Sequence, residues 1–231
     1  MKTFLITATG TEVGKTYVTA AMAKDLADFG HSVRVLKPVI SGFDDANPEN
    51  SDTAVLLKNL GQPLTPENID ACSPWRFSEP LSPDMAARHE GRSIDFEALV
   101  QFCRDAQTGK EDVLLIEAVG GAMVPLDSSH TVLDWMTHLG APVIVVAGSY
   151  LGALSHTLTT VSAIREQNID IAALVVDESE DSPVPLGETV DTLERFLPGL
   201  NLISLRRDAD RTSIHAALEN LIGGMEIAAS T

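Results

Sequence analysis

The sequence predicts a three-layer α/β fold with a doubly wound, mostly parallel sheet. Short apolar runs alternate with longer amphipathic segments along the chain, which is the pattern of strands joined by crossover helices. The apolar runs are continuous instead of alternating, as expected for strands that are covered on both faces. With 231 residues, 44% of them hydrophobic, we expect residues 1–231 to form one such domain.

The same pattern assigns the elements in chain order. Apolar runs predict strands at residues 2–7, 32–36, 113–116, 143–147 and 172–176. Amphipathic segments predict helices at residues 15–29, 52–59, 151–166, 187–196 and 212–221. Residues 41–81 interrupt the alternation because they are rich in Asp, Asn, Pro and Glu. We interpret their first part as a long loop, which is either functional or a solvated surface insertion.

Composition excludes several classes of protein. The chain has 33 acidic residues against 16 Lys and Arg, a formal net charge of −17, which disfavours nucleic acid or an anionic membrane as the main partner. It contains no apolar run of membrane-spanning length and no signal-peptide pattern. Cys72 and Cys103 lack metal or redox spacing. We therefore expect a reduced, cytoplasmic protein that binds any anion in a local pocket.

The segment TGTEVGKT at residues 9–16 is the strongest signal for function. It follows a predicted strand and precedes a predicted helix, which is the context of a phosphate-binding loop. Backbone N–H groups and the helix dipole would attract the phosphates, Lys15 would reach the β- and γ-phosphates, and the Thr16 hydroxyl would hold Mg²⁺. The alternative is a Gly-rich turn with Lys15 merely exposed. Thr9 stands where the strict motif has Gly, but the context indicates the P-loop NTPase type.

Four further residues are candidates for the same site. Glu117 ends the 113–116 strand and could help to hold the metal, unless it faces solvent. Lys37 ends the second strand at the same sheet edge, where a second ammonium group would stabilise a transferring phosphoryl group. Ser41 could bind a substrate oxygen. Asp52 could serve as a metal ligand or a base, although it lies in an acid-rich region.

Taken together, these motifs resemble the dethiobiotin synthetase family over nearly the whole chain. The resemblance rests on GTEVGKT at 10–16, KPVISG at 37–42, SDTAVL at 51–56, PWRFSEPLSPDMAAR at 74–88, EAVGGAMVPL at 117–126, DW at 134–135 and GSYLGALSH at 148–156. The family is an ATP-dependent carboxylase that closes the ureido ring late in biotin synthesis. The lysine block and the FxEPxSP pattern at 77–83 are more specific than the phosphate loop.

The resemblance implies a set of site residues. Nucleotide contacts would come from Glu12, Val13, Gly14, Lys15, Thr16, Tyr17, Asp52, Glu117, Ala118, Val119, Gly120 and Asp177. Thr16, Asp52 and Glu117 would hold Mg²⁺. Lys37 would be the catalytic lysine, Thr11 and Lys15 would steady the carbamate and the γ-phosphate, and Ser41 would touch the diamine. Family members are homodimers, so the helix start at Leu151, Gly152 and Ser155 would receive the substrate carboxylate from the neighbouring subunit.

The implied reaction joins 7,8-diaminononanoate, CO₂ or bicarbonate, and ATP. One amine captures CO₂ as a carbamate, and a carbamate oxygen attacks the γ-phosphate to give a carbamic–phosphoric anhydride. The second amine then closes the five-membered ring and expels phosphate. Because each step gathers negative charge, the chemistry calls for two lysines and Mg²⁺ and needs no covalent protein nucleophile.

The base pocket departs from the family pattern. Asp177 stands at a strand end where the family has an Asn that reads adenine, and an ionised carboxylate only accepts hydrogen bonds. The segment expected after the last strand reads ISLRR at residues 203–207, instead of the family's Gly-x-Ile-Pro pattern. Ala8 and Gly10 also differ from the family loop. The sequence therefore leaves the preferred nucleotide base open.

The leading alternative is a switch ATPase of the partitioning or site-selection type. Such proteins usually carry an additional lysine early in the phosphate loop, where this chain has Gly10, and a basic face or an amphipathic tail, which residues 201–231 lack. A non-enzymatic nucleotide-binding module is disfavoured because the lysines and acids named above are all retained. Release of phosphate that depends on diamine and bicarbonate would distinguish a ligase from a switch.

Overall fold

The computed structural model describes residues 1–180 and 182–207. Within these residues the chain forms eight strands: β1 (Lys2–Ala8), β2 (Val33–Leu36), β3 (Val39–Ser41), β4 (Trp75–Phe77), β5 (Val113–Glu117), β6 (Val143–Gly148), β7 (Ile171–Asp177) and β8 (Leu202–Leu205). It also forms eight α-helices: α1 (Lys15–Asp28), α2 (Asp52–Asn59), α3 (Pro66–Cys72), α4 (Pro83–His89), α5 (Phe96–Ala106), α6 (Val132–Leu139), α7 (Ala153–Glu166) and α8 (Leu186–Phe196).

Six of the described strands form one parallel sheet in the order β2-β5-β1-β6-β7-β8, and β3 pairs with β4 in a parallel two-stranded sheet. Strand β1 lies between β5 and β6. Its register places Ile6 opposite Glu117, so the loop that follows β1 and the end of β5 meet at the carboxyl edge of the sheet. Open α/β sheets bind ligands at this edge.

Apolar side chains cover both faces of the sheet. On one face, Val18, Met22 and Leu26 of α1 pack against alternate strand residues such as Ile6 and Leu115. On the opposite face, helices α5 to α8 bury a larger core that includes the fully buried Trp135. Since the strands are buried on both sides, they carry continuous apolar runs, and the prediction of a three-layer parallel fold is confirmed.

The predicted strands and most predicted helices are confirmed, with small shifts at their ends. Helix α7 begins at Ala153 and not at residue 151, because Gly152 adopts a left-handed φ of 103° and caps it. In residues 41–81 the first part is largely a loop up to α2, as predicted, whereas α3 and β4, which follow α2, were not predicted. Helices α3 to α6 were not predicted. The predicted helix at 212–221 lies outside the described residues.

Two further sequence observations have a structural counterpart. Cys72 and Cys103 are both buried and free, as expected for a reduced chain. Among the residues described, the helices are all too short or too polar to cross a bilayer.

Candidate active site

A cleft of about 1290 Å³ opens at the carboxyl edge of the sheet. It is bordered by the loop between β1 and α1, by Lys37 after β2, and by Ser41 and Asp52. Residues 80–83 and the end of β7 complete the wall. Thus the phosphate loop, the segment from Lys37 to Ser41 and the start of α2 at Asp52 are distant in sequence but line the same cleft.

The phosphate loop presents free backbone N–H groups to this cleft. Gly14 precedes α1 with a φ of 87°, and Glu12 adopts a φ of 59°, which is uncommon for a residue with a Cβ. In the described part of the chain, no side chain caps the first turn of α1, and that turn carries no acidic residue. The first amides of α1 are therefore available to an anion, whose charge the helix dipole would favour.

Glu117 is the buried centre of the site. Its Oε1 accepts a hydrogen bond of 2.7 Å from the Thr16 hydroxyl and one of 2.6 Å from the Lys37 ammonium, and Lys15 Nζ lies 3.5 Å away. The Glu117 side chain is fully buried, and that of Lys37 is 3% exposed. This arrangement shows that the alternatives of a solvent-facing Glu117 and an exposed Lys15 were wrong.

Lys37 also joins Glu117 to the start of α2. Its Nζ lies 2.9 Å from Oδ2 of Asp52, whose side chain is 43% exposed at the cleft. The backbone N–H of Lys37 donates to the Cys72 carbonyl, which fixes the residue just beyond the end of β2. The two lysines and two carboxylates thus form one charge network under the phosphate loop, defined here by Lys15, Lys37, Asp52 and Glu117.

Mutual pairing sets the protonation of this network. Burial works against charge on Glu117, but Lys37 and Lys15 outweigh burial and lower its pKa to about 2. Burial likewise disfavours a charged Lys37, yet the Glu117 and Asp52 carboxylates hold its pKa above the ordinary value. The pKa of Lys15 is lowered, first by burial and then by Lys37. An anion that approaches Lys15 would counter both effects.

Three residues at this point of the site carry oxygen atoms that could hold a divalent cation. Thr16, Asp52 and Glu117 supply hydroxyl and carboxylate oxygens, which are the ligands that Mg²⁺ prefers. Oε2 of Glu117 is buried and has no hydrogen-bond partner among the described residues, so it retains full capacity to bind a cation. Ser41 Oγ is likewise buried without a partner in this part of the chain, and Ser41 lines the cleft. Ser41 therefore fits the predicted contact with a polar substrate group.

Asp177 closes the cleft beside the phosphate loop. Its carboxylate packs so closely on Gly14 that a Cβ at that position would collide with Oδ2. Burial raises the pKa of Asp177 to about 6, although Arg207 acts in the opposite direction. Arg207 itself lies 3.1 Å from Oε1 of Glu180. This end of the cleft is therefore acidic, with one arginine at its rim.

Most predicted site residues line the cleft. These are Thr11, Glu12, Val13, Gly14, Lys15, Thr16, Tyr17, Lys37, Ser41, Asp52, Val119, Gly120 and Asp177. Glu117 and Ala118 are fully buried, and Glu117 reaches the site through Lys37 and Thr16. Leu151, Gly152 and Ser155 do not line the cleft, and Leu151 is 81% exposed. Their assignment to a neighbouring subunit stays a prediction.

Sequence reasoning missed part of the wall and misplaced one segment. Tyr150 and residues 80–83 line the cleft without an assigned role, although the FxEPxSP pattern that covers 80–83 was a usable signal. Residues 203–205 lie within β8, so the expectation that they follow the last strand was wrong. Of that segment, Arg207 is the residue that reaches the cleft.

The fold and the site define a P-loop enzyme that binds a nucleoside triphosphate beside a paired-lysine centre. A family model described as an AAA domain matches residues 2–216. ATP-dependent dethiobiotin synthetase BioD of Acidiphilium cryptum is 47% identical over 198 residues, which are 85% of this chain and 89% of that protein. The enzyme of the same name from Caulobacter sp. is 40% identical over 97% of this chain and 99% of its own length. The chain belongs to the ATP-dependent dethiobiotin synthetase family.

Solved structures support the fold. The MinC:MinD cell division protein complex of Aquifex aeolicus matches with a TM-score of 0.56 and 12% identity, over 100% of this chain and 97% of that one. A ParA family ATPase from Chlorobium tepidum matches with a TM-score of 0.53 and 16% identity, over 100% and 94%. At these identities the likeness is one of fold, so the switch ATPase alternative is a distant fold relative only.

Replacing Gly14 by Ala should weaken nucleotide binding. Alanine at this position would have to adopt the left-handed backbone of Gly14, which is unfavourable for a residue with a Cβ. Its Cβ would also collide with the Asp177 carboxylate, so the phosphate loop or that carboxylate must shift. We expect affinity for a triphosphate, measured by calorimetry, to fall by about tenfold or more, which is about 1.4 kcal/mol.

Gly10→Ala is the matched control for this variant. Gly10 lies in the same loop, has an ordinary φ and has open space where its Cβ would lie. Its affinity should stay near that of the unchanged chain. Equal losses in the two variants, or none in either, would contradict this view of the loop.

Asp177→Asn should stabilise the protein at high pH. Because the folded-state pKa is raised to about 6, ionising Asp177 above that pH penalises the folded state, and the penalty fades as the pH falls toward the unfolded value near 4. After allowance for solvent around a partly buried carboxyl, we expect the variant to gain about 1 kcal/mol at pH 8 and nothing at pH 4. Urea unfolding at both pH values measures this, and a pH-independent difference would refute it.

Proposed function

We propose that this chain catalyses the ATP-dependent carboxylation and ring closure of 7,8-diaminononanoate with CO₂ to give dethiobiotin, in the cytoplasm and as a homodimer. The observation that carries the proposal is the convergence of Lys15 and Lys37 on buried Glu117, directly beneath the phosphate loop. Curated relatives named ATP-dependent dethiobiotin synthetase support the assignment at 34–47% identity.

The triphosphate would lie along the loop from Thr11 to Tyr17. Backbone amides at the start of α1 would bind its phosphate oxygens, and Lys15 would bridge toward the γ-phosphate. Mg²⁺, held by Thr16, Asp52 and Glu117, would neutralise phosphate charge when bound. Val119 and Gly120 also line the cleft, where their backbone could approach the nucleotide.

The diamine would be held with its two amines at the lysine end of the cleft. Ser41 offers a buried hydroxyl for one amine, and Thr11 and Lys15 would steady the carbamate formed on it. The carbamate oxygen then attacks the γ-phosphate, the bond to the bridging oxygen breaks and ADP leaves, and Lys37 would stabilise the negative charge that gathers on the transferred group. The second amine closes the ring as phosphate leaves. Positioning and charge neutralisation supply the catalysis, so the reaction needs no protein nucleophile.

The far end of the diamine carries a carboxylate, and the partner subunit would bind it. Helix α7 begins at Ala153 after the left-handed Gly152, and no acidic residue lies in its first turn. Leu151 is 81% exposed beside this turn, as expected for a residue that a second copy would cover. A helix N-terminus of this kind attracts a carboxylate.

The base would lie against Asp177, which can only accept hydrogen bonds when ionised. We propose that this position influences which base is used, and the choice of nucleotide should therefore be measured and not assumed. Mass spectrometry of the products from diamine, bicarbonate, Mg²⁺ and each of ATP, GTP and CTP tests the whole proposal. We expect dethiobiotin and phosphate in equal amounts with ATP. Phosphate release at a rate that does not depend on the diamine would instead indicate a switch ATPase.

Lys15→Ala and Lys37→Ala should each lower kcat by about 10²–10³, the usual scale for one lost charge partner of the transition state. Lys24→Ala is the matched control, because Lys24 lies on the exposed face of α1 and pairs with Asp28. Its kcat should be unchanged. If either active-site variant turns over like the control, that lysine has no part in the chemistry.

A further inference from the structure

The carboxylates of the site are already occupied by a cation that belongs to the chain. Lys37 Nζ lies 2.6 Å from Oε1 of Glu117 and 2.9 Å from Oδ2 of Asp52, so it bridges the two carboxylates that would hold a metal ion. The Lys37 and Glu117 side chains are 3% and 0% exposed, so solvent screens their contact little, whereas the Asp52 side chain is 43% exposed. We call Asp52 and Glu117 the carboxylate pair.

The charges of the four residues in the charge network balance. Lys15 and Lys37 contribute two positive charges and the carboxylate pair contributes two negative charges, so their sum is zero. A divalent cation entering this site alone would have to displace Lys37 from short, charge-assisted hydrogen bonds and would leave a buried ammonium group without a partner. Free metal is therefore expected to bind weakly.

A triphosphate changes this balance. Its oxygens offer Lys37 and Lys15 new anionic partners at the phosphate loop. Its negative charge is larger in magnitude than the positive charge of the two lysines. If Lys37 turns to the phosphate, the carboxylate pair becomes available to bind a metal ion. Oε2 of Glu117, which has no hydrogen-bond partner among the described residues, is then a further oxygen that the pair can offer.

We propose that Lys37 is the internal counter-cation of the carboxylate pair and that it makes tight metal binding depend on the nucleotide. The proposal rests on the proposed function only in taking Asp52 and Glu117 as metal ligands. Linkage then requires that metal and nucleotide strengthen each other's binding. The site cannot hold a metal ion tightly before it holds the triphosphate, which prevents a metal-loaded but empty site.

Lys15 provides an internal comparison. It approaches only one member of the carboxylate pair, at 3.5 Å against 2.6 Å for Lys37. Both lysines carry the same formal charge within the same cleft. A general charge effect would therefore be similar for the two, whereas displacement of a bridging ammonium concerns Lys37 alone.

The test measures Mn²⁺ binding to the full chain without nucleotide, by calorimetry and by loss of the free-ion electron paramagnetic resonance signal. Lys37→Met should bind Mn²⁺ about tenfold or more tightly than the unchanged chain, and Lys15→Met should show a clearly smaller gain, because Lys15 approaches one carboxylate of the pair and does not bridge both. Adding Asp52→Asn to Lys37→Met should remove the gain, because it removes one carboxylate of the pair. Circular dichroism checks folding, and Lys37→Gln, which keeps a donor for Glu117, is used if Lys37→Met does not fold.

Equal Mn²⁺ affinity in the unchanged chain and in the Lys37 variant would overturn the proposal, and so would an equal gain in Lys15→Met. This result is independent of dethiobiotin formation. If the unchanged chain makes dethiobiotin but Lys37→Met shows no gain in Mn²⁺ affinity, the counter-cation role of Lys37 is refuted and the proposed function still stands.

Discussion

One buried carboxylate organises this molecule. Oε1 of Glu117 gathers the Thr16 hydroxyl from α1, the Lys37 ammonium from the end of β2 and, more distantly, Lys15. The same contacts tie the phosphate loop to the centre of the sheet and place two ammonium groups at the end of the cleft. Removing Glu117 would leave two buried ammonium groups without their shared buried partner, which costs more than the pair contributes. Fold and site therefore depend on the same ions.

This arrangement explains how a chain of net charge −17 can bind a polyanion. The attraction is local: uncapped amides at the start of α1, the helix dipole and two buried lysines face the cleft, where the surrounding protein screens less than water does. The net negative charge of the rest of the chain does not cancel this attraction, because the attraction acts over a short range. Binding of a polyanion is thus compatible with a negative net charge, because the attraction in the cleft acts at short range and the rest of the charge lies farther away.

Sequence and structure agree most where the physics is local. Continuous apolar runs predicted five of the six described strands of the main sheet, and the strand–TGTEVGKT–helix context predicted the phosphate loop, because both patterns follow from neighbouring residues. Lys37 and Glu117 are in contact although they lie 80 residues apart in the chain. The sequence alone placed Lys37 only at the same sheet edge as the phosphate loop, and its catalytic role came from the resemblance to the family. Residues 80–83 and Tyr150 were missed because loop packing brings them to the cleft. The bridge from Lys37 to Asp52 left no sequence signal.

We infer that Lys37 leaves the carboxylate pair and binds the transferring phosphate. A crystal structure with Mg²⁺, the diamine and a non-hydrolysable ATP analogue would locate its ammonium group. We expect the Lys37 ammonium within hydrogen-bond distance of a γ-phosphate oxygen, with Asp52 and Glu117 turned to the metal ion. An ammonium that still bridges the two carboxylates, remote from the terminal phosphate, would contradict it.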